Sequence, residues 1–579
     1  MTTQTQVDAL GPVGPFDADQ TLSRAGWQGV VFGSRLRRAE LLRLRATWPL
    51  RSLRLHVLRN QPFEYVSSAL APFAAYAGYG LRGTIGQYDD SLSDMHVGAA
   101  DVVVVWMDFG RLIADPTQVA SWLAERLLTL RGFTDAPVLV HDQAPAPARS
   151  DGAELNAILR TAVSAVPGVH VIDQAGIAER VGGGYLDERA SAITGSRLGD
   201  AACLETAREL GLRWFPAVMG AGIRAVVVDL DGTLYDGVLG EDGPMGIRIA
   251  PGHQQVAHRL LELRERGVFL ALLSRNDSAD IEKLLEARDD LLLRLDHFSV
   301  VSASWEPKEQ GLRAIVQQLR IAPNTVLVLD DNPGELAALS SDVPGIHCVW
   351  ADPSDPDSTA RALTWYPGLD KPIATEADAL RLGDLAAAQS RDIERRSAPD
   401  PESYMRSLHL VITLARNPTH QLARLHELSM KTNQFNTTLS RTPESELARR
   451  MDDPDSRVIS AALRDRLSDS GVVCALMCRK DGDRLVVDEL AMSCRALGRG
   501  VETPLVLAAL RRVNDELGTM TVVFPFVGGP RNEPARRWLT ELTGFDPAET
   551  GQAVLEWSRA DVQARLAGAP MIMQWEDEA

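Results

Sequence analysis

The sequence predicts a multidomain α/β protein, and three observations carry that reading. The chain is 579 residues long, more than one hydrophobic core serves, which implies about three to four domains of ordinary size. Short, apolar, β-branched runs alternate with helical stretches over its first two thirds, the pattern of a mostly parallel sheet with helices on its faces. Three of those runs end in an acidic or hydroxyl residue, where parallel sheets carry their functional groups.

Composition narrows the class. Hydrophobic residues make up 45% and charged residues 24%, which excludes wholesale disorder and collagen-like repeats. Lys+Arg 60 against Asp+Glu 78 leaves a net charge of −18, which argues against nucleic acid as a partner. Five cysteines are few and odd in number, and Cys474 and Cys478 lack a second pair at zinc-site spacing. With no basic leader and no run of about 18 apolar residues, a cytoplasmic protein that makes no use of a membrane is expected.

The elements fall into three regions. Residues 1–217 carry candidate strands at 53–58, 101–106, 137–141 and 169–172, with helices at 118–131 and 153–166 between them. Leu36, Leu41, Leu42 and Leu44 lie among five arginines between Arg35 and Arg45 and predict an amphipathic helix with a solvated basic face. Residues 218–374 alternate again, with strands at 225–229, 269–274 and 326–330. A charge-rich helical linker, 375–401, ends at Pro399-Asp400-Pro401. Residues 402–579 change to an α+β order. A strand at 410–414 and a helix at 419–430 precede strands at 458–463, 471–478 and 484–492; a glycine turn, a helix at 501–517 and a strand at 520–526 follow.

The chemistry gathers first at Asp229-Leu230-Asp231-Gly232-Thr233. A carboxylate ending a buried strand can attack phosphorus in line, and a second two residues on can protonate the leaving oxygen and then activate water. Gly232 permits the tight turn, and Thr233 offers a hydroxyl to it. Ser274, at the end of 269–274 and followed by Arg275 and Asn276, can bind phosphate oxygens. Lys308, just ahead of a helix, can neutralise the phosphoryl group and Asp229. Asp330 and Asp331 close another strand with hard oxygen ligands suited to Mg²⁺, alongside Asp229 and Asp231. Taken singly, each of these is an ordinary turn or surface residue; their order on one α/β pattern makes the site. The ordered set resembles the haloacid-dehalogenase (HAD) phosphatase superfamily. The gaps of 45 and 34 positions between Asp229, Ser274 and Lys308 leave no room for a large cap, only a short glycine-rich flap at 236–252 that would admit a bulky substrate.

A second stretch runs Ser493-Cys494-Arg495-Ala496-Leu497-Gly498-Arg499-Gly500. A glycine turn between a strand and a helix bares backbone N–H groups that suit a phosphate or pyrophosphate, and this order resembles acyltransferases of the GNAT type. On composition Cys494 reads as a buried, small apolar group; beside Arg495 and Arg499 it is also a candidate acyl-carrying nucleophile. Asn433 and Asn436, in Lys431-Thr432-Asn433-Gln434-Phe435-Asn436, either line a substrate or pantetheine groove or close a polar helix exit.

Together these motifs look like those of the FkbH-like proteins over roughly residues 220–550. The resemblance implies an SGNH-hydrolase-like N-terminal α/β domain without its nucleophile, a HAD-like Rossmannoid domain without a large cap, and a GNAT-like C-terminal domain. It implies a bifunctional acyl (glyceryl) transferase and phosphatase acting in natural-product, polyketide-type biosynthesis. Such an enzyme converts 1,3-bisphosphoglycerate, or a related acyl phosphate, to a thioester on the phosphopantetheine arm of an acyl carrier protein, with loss of phosphate and with Mg²⁺ as cofactor. The family's first motif usually has Asn at Gly232 and Trp-Gly at Tyr235-Asp236; Gly232 is common in ordinary HAD phosphatases. Docking an acidic carrier on an acidic chain calls for a local basic face, expected near Arg441, Arg495, Arg499, Arg511 and Arg512. Two other readings stand beside this one: a Mg²⁺-dependent phosphatase on another small or carrier-tethered phosphate ester whose C-terminal domain only docks, and a non-enzymatic scaffold.

Overall fold

The computed structural model describes residues 18–576, except 90, 113, 145–150, 190–194, 221, 371, 373–379, 399, 520 and 549. The chain divides into two compact units, 11–374 and a second formed mainly by 375–579. The expected class, α/β and multidomain with parallel sheets, is the one observed.

The first unit holds two five-stranded parallel sheets. One is built from β1 (Arg51–Arg59), β2 (Tyr79–Tyr88), β3 (Val102–Trp106), β4 (Val138–His141) and β5 (Val169–Ile172), in the order β2-β1-β3-β4-β5. The other uses β6 (Ala225–Val228), β7 (Phe269–Ser274), β8 (Val300–Ala303), β9 (Val326–Asp330) and β10 (His347–Trp350), in the order β10-β9-β6-β7-β8. β3, β6, β7 and β9 are buried along their whole length, which is why each reads as an unbroken apolar run rather than an alternation. In the second sheet the chain runs outward from β6 to β8 and then returns to the other side of β6. The strand order therefore reverses between β6 and β9, the point where α/β sheets open a crevice at their carboxyl ends. In register, Val228 lies opposite Leu329 and Leu272, so Asp229 and Asp330 emerge side by side.

One apolar core joins the two sheets of this unit. Phe32 and Tyr76 from the N-terminal part meet Tyr366 at ring distances of 6.4 and 6.2 Å, and the Arg208 and Arg213 guanidinium groups stack on Trp365. The link between the sheets is a helix, Asp200–Arg208, that widens into a π-helical turn, Glu209–Trp214, before Phe215–Val218. Around the first sheet's own reversal point Asn60 is buried, and its amide bonds both the N–H and the C=O of Asp108.

The second unit is a seven-stranded, mainly antiparallel sheet. Its strands are β11 (Leu410–Arg416), β12 (Ser456–Arg464), β13 (Asp469–Asp481), β14 (Arg484–Met492), β15 (Thr521–Val527), β16 (Thr550–Glu556) and β17 (Met571–Trp575). They lie in the order β16-β15-β14-β13-β12-β11-β17, over a core that includes the helix Glu502–Leu517. The parallel pair β14 and β15 is bonded only over Arg484–Val486 and Thr521–Val523 and then diverges.

Two expectations change. The amphipathic helix around Leu36–Leu44 is a single turn, Arg38–Leu41. Arg38 is held by Asp200, Ser68 Oγ and the Tyr65 carbonyl while Leu41 is buried, and those anchors end the helix. The flap at 236–252 is not open loop: Leu239–Gly246 is helical with a break at Gly243, and Asp236 and Arg248 close its base through two backbone hydrogen bonds and an ion pair. Residues 375–379 and 399 of the expected linker, and residue 520, lie outside the described residues; Arg381–Ser397 of the linker is helical.

Gly211, in the π-helical turn, sits so close to the helix Glu64–Tyr76 that a Cβ there would fall 2.6 Å from Phe73 Cβ. Gly211→Ala is expected to cost about 1–3 kcal/mol through overpacking, read as a lowered midpoint in urea unfolding with unchanged slope.

Candidate active site

The second sheet's reversal point gathers the groups that the sequence singles out. Carboxylate oxygens of Asp229, Asp330 and Asp331 lie within 4.8 Å of one another. Lys308, the first residue of the helix Lys308–Leu319, places its ammonium 3.2 Å from Asp229, 2.6 Å from Asp330 and 2.7 Å from Glu335. Glu335 also pairs with Arg275 at 3.2 Å. The turn after β9 is shaped by two local bonds: Asp330 Oδ1 accepts from the Asn332 N–H, and the Asn332 side chain caps the helix Pro333–Asp342. That cap sets Glu335 in the first helical turn, facing Lys308.

Charge in this crowd is out of balance. Among the described residues, four carboxylates (Asp229, Asp330, Asp331, Glu335) face two cations (Lys308, Arg275). Burial pushes the Asp229 carboxyl well above its usual range, against the pull of Lys308 and with a further push from Asp330. Asp330 is likewise raised, by burial first. Asp331 is pushed up to about 6 by burial and by the like charge of Asp330. Burial alone would lower the Lys308 ammonium, but Asp229 and Asp330 hold it above its ordinary value. A hard divalent cation fits this donor set: it would bring the count of four negative and two positive charges to neutrality, on oxygen ligands of the kind Mg²⁺ takes.

Asp231 does not join the carboxylate cluster, contrary to its expected place among the metal ligands. Its Oδ1 accepts from the Tyr235 hydroxyl at 2.7 Å and the Leu239 N–H at 2.9 Å, and its Oδ2 from the Asn276 amide at 2.8 Å. The same amide donates to Ser274 Oγ at 3.0 Å, so Asp231, Asn276 and Ser274 form one chain beside the acidic cluster. Thr233 is buried, and its hydroxyl has no hydrogen-bond partner among the described residues; the loop is held by its N–H, bonded to the Leu230 carbonyl. Gly232 has φ +70, and a Cβ there would lie 2.3 Å from Asp331 Oδ2. The glycine is what lets Asp331 close on Asp229.

In the second unit the outcome is different. Cys494 is exposed, not buried as its composition reading expected. Arg495 pairs with Asp384 at 2.9 Å, and Arg499, buried, pairs with Asp465 at 3.1 Å. Arg499 is lowered to about 10 by burial and by neighbouring Arg391. The arginines offered to a phosphate are therefore engaged by the helix Arg381–Ser397 and by the turn after β12, although three guanidiniums (Arg391, Arg495, Arg499) there meet two carboxylates (Asp384, Asp465). Gly498 and Gly500 have the expected positive φ, but the Gly498 N–H donates to Glu502 at 3.0 Å. That carboxylate takes a donor meant for an anion.

Asn436 does not line a groove, whereas Asn433 is half-buried. Asn433 accepts from Arg441. Asn436 is fully buried, donating to Glu489 and accepting from the Thr438 and Leu439 N–H groups. The segment around it fills the opening where β14 and β15 diverge: Thr437 bonds Leu490 on one side and Val527 on the other, and Phe435 bonds Met492. Of the residues expected to form a basic face, Arg441 is turned onto the Ser429, Met430 and Thr432 carbonyls, Arg512 packs over Trp575 and pairs with Glu516, and Arg511 donates to Gln563.

Sequence reasoning passed over Glu335, Tyr235 and Trp350, whose indole N–H donates to the Asp331 carbonyl at 2.8 Å. A signal for Glu335 was present: an acidic residue four positions after Asp331, in the first turn of a helix capped by Asn332. No signal of that kind marks Trp350.

No family model matches the chain, and no curated protein matches it in sequence. Among solved structures, it is similar to the N-terminal, phosphatase-domain part of a Bacteroides fragilis protein determined with Mg, at 19% identity and a TM-score of 0.45, over 61% of this chain and all of that one. It is also similar to a putative HAD family hydrolase from Streptomyces avermitilis, at 20% identity and a TM-score of 0.19, over 26% of this chain and 99% of that one. The spermidine/spermine N-acetyltransferase of Vibrio cholerae matches at 14% identity and a TM-score of 0.21, over 27% of this chain and 97% of that one. Likenesses of this size carry no functional argument; the residues do. Among the described residues no helix is long and apolar enough to cross a membrane.

Two outcomes are expected. Because the folded Asp331 carboxyl titrates near 6 and an unfolded one near 3.8, the native state holds its proton more tightly between those values. Its ionisation therefore removes stability as pH rises from about 4 to 6. In EDTA, Asp331→Asn should raise Tm more at pH 7.5 than at pH 4.5. In the second unit, Glu489 is buried and accepts from Ser429, Asn436 and Thr442. Glu489→Ala orphans those donors and should cost on the order of 3 kcal/mol in chemical unfolding.

Proposed function

We propose that the chain is a Mg²⁺-dependent phosphatase and acyltransferase of the FkbH-like kind. It would take an acyl phosphate such as 1,3-bisphosphoglycerate, load the acyl group as a thioester on a carrier protein's phosphopantetheine, and release phosphate. The observation that carries the reading is the Asp229, Asp330 and Asp331 cluster with Lys308 at the second sheet's reversal point.

The residues divide the phosphoryl step between them. Asp229 attacks phosphorus, forming an aspartyl phosphate as the bond to the leaving oxygen breaks. Asp231, held in orientation by Tyr235, Leu239 and Asn276, gives its proton to that oxygen. It then takes one from the water that hydrolyses the aspartyl phosphate and frees Asp229. Lys308 opposes the burial that raises Asp229 and offsets charge on the phosphoryl oxygens, while Ser274, Arg275 and the unpartnered Thr233 hydroxyl would supply donors to them. Asp229, Asp330 and Asp331 would hold Mg²⁺, which supplies Lewis-acid neutralisation of the phosphate charge. Thioester formation is a separate exchange: a thiolate attacks the acyl carbonyl and phosphate leaves with the bonding pair. The exposed Cys494 is the chain's own candidate for a relay; the carrier's thiol is the other.

A second reading is favoured by two features. Residues 435–437 fill the opening between β14 and β15, and Glu502 caps the glycine turn; both suit a C-terminal unit that docks a carrier without acyl-transfer chemistry. Intact-protein mass spectrometry of a holo-carrier incubated with the acyl phosphate, Mg²⁺ and enzyme separates the readings, since only the first adds an acyl mass to the carrier. With no carrier present, Asp229→Asn should abolish enzymatic phosphate release from a phosphate ester, and Asp231→Asn should slow it about 10²–10⁴-fold. Cys494→Ala should stop loading if the thiol relays the acyl group and leave it intact if transfer is direct.

A further inference from the structure

The N-terminal segment reaches into the metal-binding turn. β10 is an outer strand of the second sheet, and its free edge at Trp350 is bonded twice by one side chain, Gln28, from 322 residues earlier. Gln28 Nε2 donates to the Trp350 carbonyl at 3.2 Å, and the Trp350 N–H donates to Gln28 Oε1 at 3.1 Å. A primary amide thereby supplies the pair of bonds that a neighbouring strand would make. Gln28 is buried in the short helix Gln28–Val31, so this is a fixed clamp and not a surface contact.

From Trp350 the chain of contacts continues to the site. Trp350 lies opposite Asp330 in the sheet register, and its indole N–H holds the Asp331 carbonyl. On the other side of the turn, Asp330 Oδ1 accepts from the Asn332 N–H. The peptide after Asp331 is thus pinned from both directions, and the Asp331 side chain is left facing Gly232 and the other two carboxylates. A second contact runs in parallel: Thr21 Oγ1 donates to Ser340 Oγ at 2.9 Å, on the helix Pro333–Asp342 that carries Glu335.

We propose that Gln28 and Trp350 are positioning residues for the divalent-cation site. The N-terminal segment, through the Gln28 amide and the Trp350 indole, holds Asp331 in place to complete the cluster with Asp229 and Asp330. Neither residue touches the substrate or the ion; each acts through the Asp331 backbone. The inference rests on the metal-dependent reading above, and it makes the N-terminal part of the first unit a component of the phosphatase site. A carbonyl released from the indole is free to turn toward water, and Asp331 follows it away from the other ligands.

The test is Mg²⁺ binding to the full-length, EDTA-stripped protein by isothermal titration calorimetry, with apo Tm measured alongside. Trp350→Phe keeps the ring and removes the donor, Gln28→Ala removes the clamp, and Cys348→Ala, on the same strand, whose thiol donates to the Leu336 carbonyl and not to the Asp331 turn, controls for lost packing. Each relay variant is expected to weaken Mg²⁺ Kd about three- to tenfold, the size of one lost hydrogen bond. The double variant should be weakened less than the product of the singles, because both act on one path. An unchanged Kd in the relay variants overturns the proposal, as does an equal loss in Cys348→Ala at an equal fall in Tm. Should Trp350→Phe fail to fold, Gln28→Ala carries the same test. A wild-type protein that binds no Mg²⁺ overturns the metal-dependent reading itself, whereas wild-type binding with unaffected variants overturns only the relay.

Discussion

Three carboxylates held around one lysine ammonium, with Asp331 beside them, are the constraint from which the rest of the first unit follows. Buried like charges repel and lose hydration, so such a cluster persists only where the surrounding structure over-determines it. Here the scaffold is rigid: β6, β7 and β9 are buried throughout and in register, and the lysine is fixed at the start of a helix. With Arg275 counted beside Lys308, two formal negative charges remain without a partner cation among the described residues.

The two units handle charge in opposite ways. In the first, acidic groups are gathered and left uncompensated at a sheet reversal. In the second, the polar groups that the motifs place near a thiol are closed on one another: Arg495 on Asp384, Arg499 on Asp465, the Gly498 N–H on Glu502, Asn436 on Glu489. The exposed Cys494 stands next to that closed network. The same local motif can thus present donors to a ligand or consume them internally, and the partner residues that decide it lie elsewhere in the chain.

The first unit also shows why a segment far from the motifs belongs to the site. An outer strand carries unpaired N–H and C=O groups that must be covered. Covering β10 with Gln28, and joining the two sheets through Phe32, Tyr76 and Tyr366, satisfies that requirement and ties the N-terminal part to the turn bearing Asp330 and Asp331.

What the sequence determined by itself is what local physics encodes. Buried central strands are unbroken apolar runs, so β3, β4, β6, β7 and β9 were legible, as was the strand-end placement of Asp229, Ser274 and Asp330, because a parallel strand's carboxyl end follows directly from its run. The strands that went unread, β2, β8, β10, β16 and β17, all lie at the margins of their sheets, where one partner is missing and polar residues blur the pattern. Only the tertiary structure decided that Asp231 turns to Tyr235 and Asn276, that Glu335 shares Lys308, that residues 435–437 occupy the opening beside β14, and that Gln28 reaches Trp350 across 322 positions. Each of these is a choice of hydrogen-bond partner between elements far apart in the chain. That choice depends on which groups packing brings within about 3 Å, a distance that no spacing along the chain contains.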